Sequence, residues 1–502
     1  MTEKDLGLGG RLGDLPAPEM IEAGFVREWA DAVVLHEGFS LADLAQAIVL
    51  AEAGVVPEPD AARLLRTLLD MAKIPFGEFP YDPALGDSWN SRERELSRRA
   101  RDVAGWLRLG RPRREAGRVA FRIALRRRVL EAHGALTALA AALLEKATAT
   151  SDLVMADHTY LQPAEPTTFG YILLSYSYPV LRYAERLRRS FAAVNLSPAG
   201  AGGVGGTILP LERDRLAELL GFDGIIVHAR DAMWETDTLI ELTATAAGAA
   251  VHAGQIASDL EIFASPAFGF MEFPDAFSRA SALMPQKKNP YPVAVVRGAG
   301  GMLSGCLAGL LSTLRTPTAR TDHFLYAYGE VPKALDLLSS SHRLLAGVVR
   351  DMAVFPEALA KSAESGFLGA ADVATALVLN DAIDYETAHG AVGRVVRAGS
   401  DEGAARLDPA RVAEEIGKPL TTETEARINA DPASVVRARM VKGGTAPTRI
   451  EEMLSDCRRW LQEENDWRAN RTDQMRVAEA GLVELAERMS TLVAPGGTDA
   501  GR

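Results

Sequence analysis

The sequence predicts an all-α protein built around a bundle of long helices, and three observations carry that prediction. Alternating, β-branched runs of the kind that form strands are scarce along the 502 residues. Long Ala/Leu-rich segments, broken by Gly and Pro, occupy most of the chain. Four or five of these segments are too long for one small globule to cover their apolar faces, so they must pack on one another.

Taken in order, the chain opens on a flexible Leu8-Gly9-Gly10-Arg11-Leu12 stretch. Residues 45–53 read as a helix stopped by Gly54 and the Val55-Val56-Pro57 turn. A helical N-terminal domain is expected over 1–112. The long patterns run over 114–148, 165–193, 236–263, 290–314 and 328–350, placing a central bundle at 113–362. Within it, 243–254 is nearly all Ala, Gly, Thr and Val, which permits the close helix approach often found between subunits. A C-terminal helical domain is expected over 363–470, followed by an extra helix and flexible tail over 471–502.

Composition narrows the function. At 47% hydrophobic and 24% charged, the chain can bury a large core in several domains. A net charge of −12 argues against nucleic acid or an anionic membrane as partner. No apolar run reaches the ~18 residues of a membrane span, and residues 1–8 lack a signal-peptide pattern. Cys306 and Cys457 are too few for a disulfide framework or a metal site. A cytoplasmic protein without metal or organic cofactor is expected. The Gly-rich stretch 197–207 follows no strand and lacks a Gly-Lys-Ser/Thr ending, so it reads as a tight turn, not a nucleotide loop. One basic run stands out: Arg108, Arg111, Arg113, Arg114, Arg118, Arg122, Arg126, Arg127 and Arg128. Its later members recur at helical spacing and are expected on a solvated face. The first few, at the Gly110-Arg111-Pro112 break, suit an anion site.

The chemistry concentrates in residues 278–290. A hydroxyl, two ammoniums and an amide lie within a dozen residues, closed by Pro285 and Pro290 and emptying into a helix. Such a group suits gripping a carboxylate while a proton leaves the neighbouring carbon, with the helix N-terminus attracting the anion. A capped, solvated turn is the plain alternative. The run Ser281-Ala282-Leu283-Met284-Pro285-Gln286-Lys287-Lys288-Asn289-Pro290 resembles the G-S-S-x-M-P-x-K-x-N loop of the aspartase/fumarase superfamily, and its M-P-Q-K-K-N-P form is similar to argininosuccinate lyase. The glycine turn, the opening, and Gly366-Phe367-Leu368, His389 and Gly443-Gly444-Thr445 extend the likeness in consistent order from Leu8 to about Pro447.

The resemblance implies a three-domain all-α fold, a homotetramer with active sites built from several chains, and β-elimination from a succinyl-type carboxylate to release fumarate or a related acid. It assigns Ser281 as base, and Lys287, Asn289, Arg113 and Thr159 to binding, with Gln162 beside Thr159. Departures put argininosuccinate itself in doubt. The family's histidine in T-H-L-Q is Tyr160, and the glutamate thought to work with it falls on Ala294. Arg114 and Glu115 replace an Asn and an Asp, so Arg114 adds a cation. Tyr160 and His158 become the candidate acids, His158 also reading as a structural histidine; His323 and Glu330 stand further off. A leaving group that departs as a stable anion would need less help. The alternatives are an inactive structural or binding homologue, and an enzyme running the reverse addition.

Overall fold

The computed structural model describes residues 11, 14–364 and 366–491. The expected flexible opening, apart from Arg11, and the terminal Ala-Pro-Gly-Gly tail lie outside those residues. Helices dominate the described chain, and its paired strands form short two-stranded ribbons.

Helix α1 (Ala32–Glu52) ends at Gly54, whose φ of 67° suits a helix stop. Helix α2 (Glu58–Ala72) starts with Pro57 before it and acidic residues in its first turn, and buries Leu64, Leu65 and Leu68. Helix α3 (Arg113–Ala149) is 37 residues long and buried on nearly every side. It crosses α1 at Gly38, where a side-chain carbon would sit 2.5 Å from the Ala120 carbonyl oxygen, so glycine is required there.

A hairpin of β1 (Val154–Thr159) and β2 (Gln162–Thr168) follows, then α4 (Phe169–Val194). The helix expected from residue 165 therefore begins later. Pro163 and Pro166 keep the chain extended, and the Thr168 hydroxyl caps α4 by accepting from Tyr171 N–H at 3.1 Å. The short α5 (Ala229–Trp234) precedes α6 (Asp237–Phe263). Strand β3 (Met271–Glu272) and a ribbon of β4 (Arg279–Ala280) and β5 (Lys288–Asn289) lead into α7 (Tyr291–Thr313). Helix α8 (Ala327–Asp351) then returns to β6 (Ala353–Val354), which pairs with β3.

Side-chain contacts give the helix directions. Arg118 meets Tyr328 near the starts of α3 and α8, and Lys146 donates to the Met352 carbonyl at 3.0 Å beyond the end of α8. These two helices run parallel. Arg122 near the start of α3 reaches the last carbonyls of α4, so α4 is antiparallel. The small-residue seam of α6 takes α7 antiparallel at close range, with Gly300 facing Ala250. The bundle thus has an Arg113 end and a hairpin end.

The basic stripe is not a solvated face. Arg118, Arg122 and Arg126 are 3%, 6% and 0% exposed and point inward. Arg122 donates to the carbonyls of Ala193, Val194 and Leu196 at 2.7–3.3 Å and pairs with Glu235. Arg126 donates to Asn195 Oδ1 and to the Leu220 and Gly221 carbonyls, and lies 3.9 Å over the Phe222 ring. Guanidinium forks thus satisfy carbonyls that end other helices, where no backbone N–H remains to serve them.

The C-terminal region packs α9 (Ala370–Asp381) on α10 (Tyr385–Asp401) around Val373, Leu377 and Val392. A single helix, α11 (Pro447–Ser490), then runs 44 residues. The boundary expected at 470 falls inside it, and the extra helix is its second half. His133 binds Glu464 at 2.9 Å, Arg127 binds Glu479, and Leu482 and Ala486 join the core of the N-terminal helices. Helices α1 and α7 are long and apolar enough to cross a membrane by length and composition, contrary to expectation. For α1, 78% of that window is buried in the core; for α7 only 33% is.

Candidate active site

The Ser281 loop hangs between β4 and β5. Asn289 Nδ2 donates to the Arg279 carbonyl at 2.8 Å, and Lys287 N–H donates to Met284 O at 3.0 Å, closing residues 284–287 into a turn. Ala280, where the family pattern has Gly, pairs with Lys288 in extended backbone that tolerates a side chain. The Ser281 oxygen accepts from Leu283 N–H at 3.3 Å and Met284 N–H at 3.0 Å. Two donors aimed at one hydroxyl oxygen favour its deprotonated form. The two lysines divide here. Lys288 is bound to Glu272 at 2.9 Å and Asp275 at 2.7 Å, whereas Lys287 has no ion pair among the described residues.

At the same end, the β1–β2 hairpin turns on Tyr160 and Leu161, with φ of 54° and 59°. Two adjacent left-handed residues make the tight turn that matches strand twist, normally a task for Asn-Gly. Thr159 pairs with Gln162 across it, both exposed, and Tyr160 stands 99% exposed at the tip. His158 lies behind them, its ring 5.1 Å from Phe268 and 6.1 Å from Phe270, with Nδ1 unpartnered. Burial pulls its pKa below the ordinary value, against the pull of Asp157, so it is neutral at pH 7. Phe270 leads into β3, whose Glu272 holds Lys288, so the hairpin's aromatic cluster and the serine loop are joined through β3.

Arg113 and Arg114 sit at the opposite end. Arg113 opens α3, 3.5 Å from Asp87 with a half-exposed side chain. Arg114 is 3.4 Å from Glu28, which balances the extra cation within the chain. Glu28, Asp31, Asp87, both arginines, Phe324 and Tyr328 line one small cavity. Burial raises Asp31 to about 7, against the pull of Arg27 and Lys333. His323 is buried with Nε2 3.2 Å from the Thr316 carbonyl oxygen, and Glu330 pairs with Arg27 at 3.2 Å. Glu115 has a role that the sequence did not reveal. Its carboxylate accepts from Gly200 N–H at 2.7 Å and Gly202 N–H at 2.6 Å, clamping the glycine turn, whose φ values of 73° and 65° need glycine. Burial raises its pKa to about 7 despite these bonds.

Thirty-seven helical residues at ~1.5 Å each separate Arg113 from the hairpin by roughly 55 Å. One chain therefore brings Ser281, Lys287, Asn289, His158, Thr159, Tyr160 and Gln162 to one end, and Arg113 and Arg114 to the other.

A long-helix bundle bearing a serine loop at one end defines a lyase of the aspartase/fumarase superfamily. A family profile described as Lyase matches residues 35–305. Argininosuccinate lyase of Cupriavidus necator is 32% identical over 448 residues, covering 87% of this chain and 94% of that one. Argininosuccinate lyase of Halobacterium salinarum is 34% identical over 422 residues, covering 83% and 85%. Among solved structures, EDDS lyase in complex with formate superimposes with TM-score 0.83 at 26% identity, over 95% of this chain and 96% of that one. A 3-carboxy-cis,cis-muconate lactonizing enzyme from Pseudomonas putida, at TM-score 0.68 and 20% identity over 84% and 94%, shares the fold. The chain belongs to the lyase family, as an argininosuccinate lyase-like member of the aspartase/fumarase superfamily. Its family acts on carboxylates by elimination that releases fumarate-like products.

Proposed function

We propose that this chain cleaves a C–N or related C–X bond in a succinyl-type carboxylate, with Ser281 as base. The supporting observation is the Ser281 oxygen itself, half-buried at the base of an exposed loop and served by two backbone N–H groups, with Lys287, unpaired among the described residues, alongside. Ser281 removes the proton beside a carboxylate; the electron pair forms the double bond as the C–N bond breaks; the leaving nitrogen takes a proton. Lys287, Asn289 and Arg113 hold the developing dianion. Each such donor is worth about 3–4 kcal/mol in a water-excluded site. Tyr160, free at the hairpin tip, supplies the leaving-group proton, or the leaving group departs as a stable anion.

The site needs more than one chain, because Arg113 lies roughly 55 Å from the hairpin. Helix α7 leaves Val295, Met302 and Leu311 exposed, beside Val251 of α6, a face suited to a second copy in a homotetramer. Mass spectrometry of fumarate released from N-substituted succinates, an acyloxysuccinate and nitrosuccinate tests the reading. Wild type should turn over at least one of them, and Ser281→Ala should lose about 10²–10⁴ in rate. Equal rates in the variant would remove Ser281 from the mechanism. The joint loss of the family histidine and glutamate favours a second reading, a non-catalytic homologue. Absence of succinate binding would select it.

A further inference from the structure

We propose that the C-terminal region holds a binding site for a free, small apolar α-amino acid, in the cavity between α9 and strand β2. The proposal is independent of the elimination reading above.

Phe367, Leu368, Val373, Ile428 and Val435 give this cavity an apolar lining, and Pro166 of β2 adds a wall from the hairpin. Its volume of about 50 Å³ is room for about four waters at ~10–15 Å³ each, which matches an isobutyl-sized group. Three charged side chains share the lining: Glu364, Arg406 and Arg427. None of the three makes a side-chain hydrogen bond or an ion pair among the described residues. Around them the charges are paired. Arg394 binds Glu415, Arg411 binds Glu402, and Asp431 takes the Ser434 N–H at 2.5 Å with Arg437 at 3.8 Å. Two uncommitted cations and one uncommitted carboxylate therefore border a single apolar hollow.

Backbone strain shapes that hollow. Gly366 and Phe367 take φ of 77° and 55°, the second a rare conformation for a bulky residue. Phe367 is held there by donating its N–H to the Ala405 carbonyl at 3.2 Å. Its ring fills the space that Gly399 leaves, where a side-chain carbon would come within 3.1 Å of it. Such strain persists only where the surroundings over-determine it, and it clusters at ligand sites. Arg439 ties the two walls together, binding Glu165 of β2 at 2.7 Å and Asp372 of α9 at 2.9 Å. The cavity is thus preformed, as small-molecule sites usually are.

Opposite charges around an apolar pocket select a zwitterion with an apolar side chain. Its carboxylate suits the guanidiniums of Arg406 and Arg427, its ammonium suits Glu364, and its side chain suits the cavity. A simple carboxylate would leave Glu364 unmatched, and a simple amine would leave both arginines unmatched.

Calorimetry on the full chain tests this with four probes: L-leucine, glycine, 4-methylpentanoate and 3-methylbutylamine. Wild type should bind L-leucine at least about tenfold tighter than glycine, which leaves the apolar lining empty. It should also prefer L-leucine at least about tenfold over the acid and over the amine, each of which lacks one charge-assisted contact. In an Arg406→Gln/Arg427→Gln double variant the preference over the amine should fall towards one, while that over glycine persists. In Glu364→Gln the preference over the acid should fall instead. All three positions lie at the surface or half-buried, so the variants should fold. If L-leucine fails to bind wild type, binds no tighter than glycine, or keeps either charge preference in the matching variant, the site is overturned.

Discussion

If Arg113 and Ser281 meet only across chains, two dead variants should rescue each other. Ser281→Ala removes the base at the hairpin end and leaves the Arg113 end intact; Arg113→Gln does the reverse. Within one chain the two residues lie at opposite ends of a bundle whose central helix is roughly 55 Å long, so under the proposed function a site using both draws them from different copies. In a randomly assorted tetramer formed from equal amounts, each contribution is intact with probability one half. About one site in four then carries both, giving about 25% of wild-type activity. The assay is co-expression of differently tagged variants, tandem purification, and fumarate release on the best substrate of the panel. Arg113 is half exposed and Ser281 lies on an exposed loop, so both variants should fold. A mixed oligomer no more active than the sum of its parents would refute the shared-site reasoning.

Three further outcomes are expected. Arg126→Met orphans three buried acceptors, and at about 1–3 kcal/mol each the unfolding free energy should drop by about 3 kcal/mol or more; a change within about 0.5 kcal/mol in denaturant titration would contradict the stripe's structural role. Glu115, raised by burial from 4.5 to about 7, binds more protons folded than unfolded between those values, so its contribution to stability declines as pH rises from about 4.5 to 7. The Glu115→Gln variant should lack that decline, on the order of 3 kcal/mol across the window, and parallel pH curves of the two proteins would argue against it. Leu161→Gly should raise stability by up to about 1 kcal/mol, because φ of 59° strains leucine and its exposed side chain has little packing to lose; a lower melting temperature would show that the hairpin tip is gripped.

The candidate serine was legible because its neighbours are contiguous. Seven residues between two short strands make their own turn, so local order in the chain becomes local order in space. The five long helices were legible from their length and apolar content, and four of them came out within about two residues of expectation. The start of α4 slipped because Pro163 and Pro166 held the chain extended before Thr168 could cap it. Arg114 also read differently, since nothing in the sequence reveals that Glu28, 86 residues away, neutralises it.

What the sequence determined by itself was the helical bundle, the family, and the presence of a hydroxyl among cations on a turn. Those features follow from periodicity and short-range geometry, which a chain carries in its order of residues. The tertiary structure decided which face of α3 turns inward, which lysine stays free, and how far Arg113 stands from Ser281. The physical reason is the same in each case. Helical spacing says which side chains share a face, but only packing says whether that face meets water or the open carbonyls of another helix. A long rigid helix likewise sets Arg113 roughly 55 Å from the serine-loop end, a distance that periodicity alone does not reveal.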